Sequence, residues 1–139
     1  MFIPDRRGLG LISTLLILTV VAAFLAGVGL LLSQERARVR DARRIADMVR
    51  VQFAFETLFR EKASYSEAAS GCGQVEVLVS TCALTTYLPQ VQNLKDPGRY
   101  AYRVAKVPDE RDYAISFVLE RAYESLAKGK HVLSKDGVR

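Results

Sequence analysis

Two hydrophobic patterns follow one another along the first half of the chain. The segment from Leu9 to Ser33 is predominantly apolar, and no charged residue interrupts it before Glu35. A helix needs about 20 apolar residues to cross the hydrocarbon core of a bilayer, and this segment is longer than that. We therefore predict the transmembrane half of a helix over residues 9–33, preceded by a short polar leader at residues 1–8.

The helical pattern continues past the predicted span. No proline occurs between Pro4 and Pro89, so no residue of this type forces a break. We expect one continuous helix whose amphipathic, soluble half spans residues 34–63. It is predicted to end near Lys62, because the Ala63-Ser64-Tyr65-Ser66 segment interrupts the pattern.

Apolar and charged residues of this second half separate onto opposite sides when they are placed at about 100° per residue. An apolar stripe usually faces a core, so we expect it to pack on the chain's own C-terminal domain. Phe53 and Leu58 lie off its centre, which makes them candidates for contacts between subunits. The predicted stripe comprises Ile45, Met48, Val49, Gln52, Phe55 and Phe59, and the opposite face comprises Arg36, Arg40, Arg43, Asp47 and Arg50.

Period-two alternation near the C-terminus predicts β-strands. Residues 100–107 and 112–120 alternate in this way, and the polar residues 108–111 between them form a predicted hairpin loop. Residues 130–133 are a candidate third strand. Together these segments predict a small antiparallel sheet packed against the helix, an α+β fold in which residues 64–139 form a small globular head.

The region between the helix and these strands carries weaker signals. A stretch rich in Ser and Gly follows the helix up to Gly73. Residues 74–80 are a candidate short strand, and residues 84–91 are predicted as a turn of helix or coil. The Asp96-Pro97-Gly98 segment predicts a turn that leads into the sheet.

The chain is basic, with a net charge of +5 and an isoelectric point near 9.4, and the excess is local. A belt of arginines follows the span, diluted by Glu35, Asp41 and Asp47. Such a belt is usually a solvated face, here with lipid headgroups beside it. Nucleic acid binding would require salt-dependent phosphate contacts and has no other support in the sequence. The arginines are Arg36, Arg38, Arg40, Arg43, Arg44 and Arg50.

Two cysteines, Cys72 and Cys82, lie in a stretch rich in Gly, Ser and Thr. An even pair in a short exported domain favours a disulfide over a metal or redox site, and two unrelated buried thiols are the alternative. The positive-inside rule alone would keep the C-terminal domain in the cytoplasm, because only Arg6 and Arg7 precede the span. The cysteines favour the opposite orientation, a single pass through the inner membrane with the C-terminal domain outside.

An ordinary secretory signal is the alternative interpretation of the N-terminus. Val21-Ala22-Ala23 and Leu25-Ala26-Gly27 offer small-residue cleavage sites, but the apolar run is longer than the ~7–15 residues typical of such signals. Arg6-Arg7 is only a weak match to a twin-arginine signal, because the rest of that motif is missing.

The sequence carries no motif for catalysis: it has no Gly-rich phosphate loop, no H-E-x-x-H and no G-x-S-x-G. His131 is the only histidine, and without an identifiable acidic or thiol partner it is expected to be structural. Asp109, Glu110 and Asp112 lie in a predicted turn. Calcium sites need about six or more converging oxygens, so solvated loop charge is the favoured interpretation. We expect no enzymatic activity, no cofactor and no metal.

The leader and the start of the span resemble a known signal. Residues 1–8 form a short basic leader that ends in Gly8, and Leu9-Gly-Leu-Ile-Ser-Thr-Leu-Leu-Ile-Leu18 follows. This pattern is similar to the class III signal of type IV pilins and type II secretion pseudopilins. The resemblance implies that a prepilin peptidase cuts between Gly8 and Leu9 and methylates the new N-terminus.

Further segments are similar to G-type pilins and pseudopilins. Ala63-Ser64-Tyr65 stands where that group has Gly-Ser-Tyr at the helix exit. The resemblance covers nearly the whole chain, although only the pattern of leader and helix is specific. The other similar segments are Arg40-Asp-Ala-Arg-Arg-Ile-Ala-Asp-Met48, the residues from Phe53 to Tyr65, and Asp96-Pro97 with Tyr100-Ala-Tyr102.

The chain departs from this family in the apolar helix. The family usually carries Glu at the fifth mature position, where it neutralises the N-terminal amine of a neighbouring subunit, but here the residue is Ser13. An unpaired ammonium in an apolar fibre core is costly. Either Ser13 supplies only a hydrogen bond, or the subunit sits where no pairing is needed, as in tip-located minor pseudopilins. Leu9 replaces the common Phe, and Gly27 and Gly29 stand in for the absent helix-breaking Pro.

Small residues at the small-x-x-x-small spacing let helices approach closely, although they are common in any membrane helix. The resemblance implies a structural subunit that assembles with itself or other pilin-like subunits into a type IV pilus, competence or type II secretion-like filament at the cell surface. A single-pass membrane-anchored binding domain that does not polymerise is the alternative, and an anchored enzyme is disfavoured. The predicted fibre-core residues are Ser13, Ala22, Ala23, Ala26 and Gly27.

Overall fold

The computed structural model describes residues 6–139, with side chains described from Gly10 onward. It contains one α-helix, α1 (Arg6–Lys62), and four strands, β1 (Arg103–Lys106), β2 (Ala114–Leu119), β3 (Gly129–Ser134) and β4 (Gly137–Val138). Short 3-10 turns lie between the helix and the sheet, at Ser66–Ala69, Val79–Thr81 and Val91–Asn93. The chain divides into two compact units, Met1–Arg36 and Ala37–Arg139. The α+β fold predicted from the sequence is confirmed.

Helix α1 ends at Lys62, where the sequence predicted its end. Ala63 adopts a left-handed backbone conformation with a φ of 54°, and its N–H donates to the carbonyl of Phe59 at 2.7 Å. A left-handed residue is a common way to end a helix. Arg60 and Lys62 lie in the last turn, where cations interact favourably with the helix dipole.

The sheet is antiparallel throughout, with the strand order β1-β2-β3-β4. The first three predicted strands are confirmed, but they begin or end a few residues from the predicted bounds. A register shift between Val104 and Lys106 limits the β1–β2 pairing. The predicted hairpin loop is closed by a hydrogen bond of 3.0 Å from the N–H of Asp109 to the carbonyl of Asp112. The two-residue strand β4 was not predicted, because two residues are too few to show alternation.

Residues 74–80 do not form the predicted strand. They follow the edge of β1, where the N–H of Glu76 donates to the Val104 carbonyl at 2.7 Å. Glu76, however, has a φ of 66°, which extended strands do not accommodate. Only one isolated bridge, between Leu78 and Arg103, is left. Residues 84–91 are turns and coil, as predicted.

The buried face of α1 in the second unit is rotated from the predicted stripe. Met48 and Phe55 are fully buried, but Val49 is 59% exposed and Phe59 is 41% exposed. Leu58 is fully buried, so its prediction as an exposed residue was wrong. Asp47, predicted on the opposite face, is buried as well, because its carboxylate accepts the hydroxyl of Tyr102. The buried residues of this half of α1 are Ala37, Asp41, Arg44, Asp47, Met48, Val51, Ala54, Phe55 and Leu58.

The rotation has an electrostatic cause. Asp41 and Arg44 lie on the buried face, with exposures of 1% and 0%. A pattern built on hydrophobicity alone places charged residues outward, because buried charges are rare unless they are paired. The two side chains are paired, and the stripe that includes them is centred on the opposite side of Met48 and Phe55 from Val49. Ile45 and Gln52 consequently lie at its edge, half-buried.

Candidate functional site

The apolar half of α1 is not covered by any other part of the described residues. All residues from Gly10 to Arg36 are exposed, including Leu11 at 75%, Phe24 at 70% and Leu30 at 66%. It is long and apolar enough to cross a membrane, and none of its most apolar window is buried. Core helices of soluble proteins can meet the same criterion of length and composition, but they are mostly buried. Signal sequences meet it as well.

The hydroxyl of Ser13 is hydrogen-bonded to the backbone of its own helix. Its hydroxyl donates to the carbonyl of Gly10 at 3.1 Å, and the hydroxyl of Thr14 donates to the same carbonyl at 2.7 Å. A serine bonded in this way offers no negative charge to a neighbouring amine. The other predicted fibre-core residues, Ala22, Ala23, Ala26 and Gly27, are all exposed. A Cβ added at Gly27 would meet nothing within 4 Å.

The predicted processing site lies at the limit of the described residues. Residues 1–5 of the predicted leader lie outside them. The backbone of Gly8 and Leu9 belongs to α1, and their side chains are not described. The structure therefore does not test cleavage at this bond.

The predicted disulfide between Cys72 and Cys82 is present, with an S–S distance of 2.10 Å. Both cysteines are buried, and they bring two loops of the head together. Gly71 beside them has a φ of +89°, and a Cβ at this position would lie 2.3 Å from the carbonyl oxygen of Thr81. Only glycine fits this close approach of the two loops.

A buried arginine joins α1 to the far end of the sheet. Arg44 Nε donates to Asp96 Oδ2 at 2.6 Å, and Arg44 Nη1 donates to Asp41 Oδ1 at 2.7 Å. Asp41 also accepts the backbone N–H groups of Glu120 and Arg121 at 2.9 and 2.8 Å. The hydrogen bonds that Arg44 donates to these carboxylates, Asp96 first among them, raise the pKa of Arg44 against the opposing effect of its burial.

Glu120 and Asp96 are, with Asp41, the acidic partners of this cluster. The hydrogen bond from Arg40, at 2.8 Å between Nε and Oε1, is the main reason why the pKa of Glu120 falls to about 2, and Arg44 lowers it further. Burial raises the pKa of Asp96, but hydrogen bonds from Arg44 and from the backbone of Gly98 outweigh it, so its pKa lies below the ordinary value. The pKa values of Glu120 and Asp96 are thus lowered and that of Arg44 is raised, so these three groups are ionised and paired throughout the physiological range.

Two tyrosines in the same core differ in how their hydroxyls are satisfied. Tyr102 donates to Asp47 Oδ2 at 2.9 Å, and burial together with this carboxylate raises the pKa of Tyr102. Tyr113 stacks on Phe55 with ring centroids 3.9 Å apart, but its buried hydroxyl has no hydrogen-bond partner among the described residues. Burial also raises the pKa of Tyr113.

The residues with catalytic or metal-binding potential serve the fold. The ring of His131 lies between two carbonyls, with Nε2 2.6 Å from Ala127 O and Nδ1 3.1 Å from Arg139 O. Asp109 Oδ1 accepts the N–H groups of Arg111 and Asp112 at 2.8 Å each, which shapes the hairpin loop. Among residues 6–139, no group of three or more His, Cys, Asp or Glu is placed to hold a metal ion.

A second apolar stripe lies on the outer side of α1, and of its residues the sequence analysis named only Phe53 as a candidate for contacts between subunits. We call it the outer stripe. Its spacings of three and four residues form a heptad pattern, and this pattern was the available signal. The apolar stripe predicted for this half of α1 included Val49 on the inner face instead, and Val39, Ala42 and Ala46 belong to no predicted stripe. The outer stripe comprises Val39, Ala42, Ala46, Val49 and Phe53, all of them exposed.

Comparison with known proteins adds no relative: no family model, no curated protein and no solved structure matches this chain.

Proposed function

We propose that this chain is a pilin-like structural subunit, inserted in the inner membrane, processed after Gly8 and assembled into a type IV pilus, competence or type II secretion-like filament. One observation carries the proposal: the apolar part of α1 from Gly10 to Ser33 is wholly exposed, whereas the described core residues lie after that segment. Exposed apolar surface of this size requires lipid or other protein around it.

The head supports an exported location. A disulfide such as Cys72–Cys82 forms and persists in oxidising compartments. The head would then lie outside the inner membrane, although the positive-inside rule, applied to the arginines on either side of the span, favours the opposite orientation. The small sheet packed on the continuous α1 is compatible with a pilin-like architecture.

Ser13 narrows the place of the subunit in a filament. Ser13 has a hydroxyl in place of the carboxylate usual at this position, and that hydroxyl donates to Gly10 O. Ser13 therefore offers no negative charge to the N-terminal amine of a neighbour. A buried ammonium without a counter-charge is strongly unfavourable. We therefore place the subunit where its neighbour needs no such partner, as at the tip of a filament.

Processing provides the first test. The full chain is expressed with a prepilin peptidase, and the intact mass is measured. We expect a mature N-terminus at Leu9, with a methyl group added. A Gly8→Val variant should stay unprocessed, whereas the control Gly10→Val should be cut, because a Cβ at Gly10 meets nothing within 4 Å. Any other N-terminus contradicts the proposal.

Assembly provides the second test. Surface filaments are sheared from cells that contain the assembly machinery, and the chain is sought in them by mass spectrometry. We expect the processed chain in the sheared fraction. A processed chain that stays entirely in the membrane would instead support an anchored binding domain.

A further inference from the structure

We infer that the outer stripe of α1 docks the helix of a different subunit, one whose own apolar stripe is flanked by acidic residues. The inference rests on the proposed function, because it names the partner with which the chain assembles. Three features of the second unit carry it: the spacing of the outer stripe, the arginines beside it, and a basic cleft that opens next to those arginines.

The outer stripe has the geometry of a helix-packing seam. Val39, Val49 and Phe53 are 68%, 59% and 61% exposed, so the chain itself leaves them uncovered. Ala42 and Ala46 lie between them, and small side chains let two helix backbones approach closely. At about 100° per residue the five side chains fall within roughly 80° of arc, on the side of α1 opposite Met48 and Phe55. This width suits one partner helix.

Three arginines lie beside the seam, two on one side and one on the other. In heptad terms Arg43 and Arg50 occupy the positions that follow the seam residues Ala42 and Val49, and Arg38 precedes Val39. All three arginines are exposed. Arg38 and Arg43 form no ion pair with any described residue, and Arg50 has only a contact of 3.8 Å with Asp47.

Asp47 does little to neutralise this surface. Its carboxylate accepts the hydroxyl of Tyr102 at 2.9 Å and is only 5% exposed. Arg43 and Arg50 line a cleft of about 480 Å³ together with Lys95 and the polar side chains of Gln90 and Asn93. Acidic side chains that flank a docked helix would therefore lie next to Arg43 and Arg50, with Lys95 and the polar residues of the cleft behind those arginines.

These charges argue against a second copy of this chain as the occupant. Charges at the flanking heptad positions decide which helices pair. A parallel copy would place Arg38 of one helix opposite Arg43 of the other. An antiparallel copy in the register that aligns the two seams would oppose Arg43 and Arg50, although it would also bring the exposed Glu56 near Arg38. Like charges placed opposite each other disfavour both pairs. The apolar centre of the seam also argues against nucleic acid, whose phosphates would contact the arginines but leave Val49 and Phe53 unused.

Binding of two designed helices tests the inference. The full chain in detergent micelles is titrated into labelled helical peptides that share one Leu/Ala seam and carry either Glu or Lys at the flanking positions. We expect the Glu-flanked peptide to bind at least tenfold more tightly, with the difference shrinking as salt is added. Reversing the flanks with Arg38→Glu, Arg43→Glu and Arg50→Glu should exchange the preference.

Neutral variants separate the seam from its charges. Val49→Gln with Phe53→Gln should weaken both peptides at least tenfold, whereas the control Val75→Gln, at an exposed apolar residue away from the helix, should weaken neither. The inference is overturned by equal binding of the two peptides, by binding of neither, or by self-association of the full chain that the Val49→Gln variant abolishes. Binding of duplex DNA that depends on the arginines but not on the seam also overturns it.

The filament assay separates this inference from the proposed function. If the processed chain enters sheared filaments and the seam and arginine variants do so equally well, the proposed function stands and the docking surface is wrong. If the chain is not processed at Leu9, the proposed function fails whatever the peptides show.

Discussion

At the scale of single residues, the two buried tyrosines differ in whether their hydroxyls are hydrogen-bonded. Tyr102 satisfies the carboxylate of Asp47, which is 5% exposed. The ring of Tyr113 stacks on that of Phe55, but its hydroxyl has no hydrogen-bond partner in the described part of the chain. An unsatisfied buried group costs free energy, whereas removing one member of a buried pair strands the other.

These tyrosines yield a matched pair of predictions. We expect Tyr113→Phe to leave the free energy of unfolding unchanged or to raise it, because the stack stays and an unpaired hydroxyl goes. Tyr102→Phe should lower it by about 1–3 kcal/mol, because Asp47 loses its donor. Urea denaturation of the full chain in detergent, followed by tyrosine fluorescence or circular dichroism, measures both. A loss at Tyr113 larger than that at Tyr102 would contradict the assignment.

Arg44 holds together more carboxylates than any other residue of the head. Removing one partner of a buried ion pair costs about 3–5 kcal/mol, and Arg44→Met should reduce the free energy of unfolding by an amount of that order. Arg44→Lys should lose less stability than Arg44→Met but more than none, since an ammonium cannot reproduce the planar set of hydrogen-bond donors of a guanidinium. Arg43→Met, at an exposed neighbour, is the control and should change stability little.

The cluster also predicts how stability depends on pH. The pKa of Glu120 is about 2 in the folded chain against an ordinary 4.5, and the pKa of Asp96 is lowered too. A lowered folded pKa contributes stability above the unfolded value and loses it as pH falls through the folded value. We therefore expect the unfolding midpoint in urea to be flat from pH 7 to 5 and to fall from about 4.5 toward 2. Glu120→Gln should flatten part of that fall.

At the scale of elements, the sequence predicted what depends on local pattern and missed what depends on pairing. The end of α1 at Lys62 and the first three strands follow from a break in periodicity and from alternation. The buried face was displaced because Asp41 and Arg44 bury charge, which only the position of Asp96, far along the chain, makes favourable. The segment 74–80 failed because one residue, Glu76, turns left-handed.

The loops around the disulfide allow a glycine comparison. Gly71→Ala should destabilise the head, because Gly71 has a φ of +89° and a Cβ there would lie 2.3 Å from Thr81 O. Gly73→Ala should be tolerated, since its nearest contact would be 3.5 Å away. Thermal unfolding of the full chain in detergent compares them. Equal melting temperatures for the two variants would contradict this account of the loop.

At the scale of the whole molecule, the part of the site that could be predicted is the apolar half of α1, because its composition alone marks it. The exposed helix from Gly10 to Arg36 was evident because an uncharged apolar run is a strong signal for a membrane helix. Most of the outer stripe was not found, because its residues are exposed among the described residues and only heptad spacing marks them. Surfaces whose partner is another molecule leave a weaker trace in a single sequence than surfaces that form its own core.

The division of the chain gives a final prediction. Every core residue in the described part of the chain lies at or after Ala37, and the disulfide and the Arg44 cluster do so too. A fragment of residues 37–139 should therefore stay in solution without detergent, unfold cooperatively and contain no free thiol, whereas the full chain should float with liposomes. If the fragment aggregates or unfolds without cooperativity, the apolar helix contributes to the stability of the head. If the full chain stays soluble without lipid, residues 10–36 are covered by this chain or by copies of it, and the membrane-inserted state is wrong.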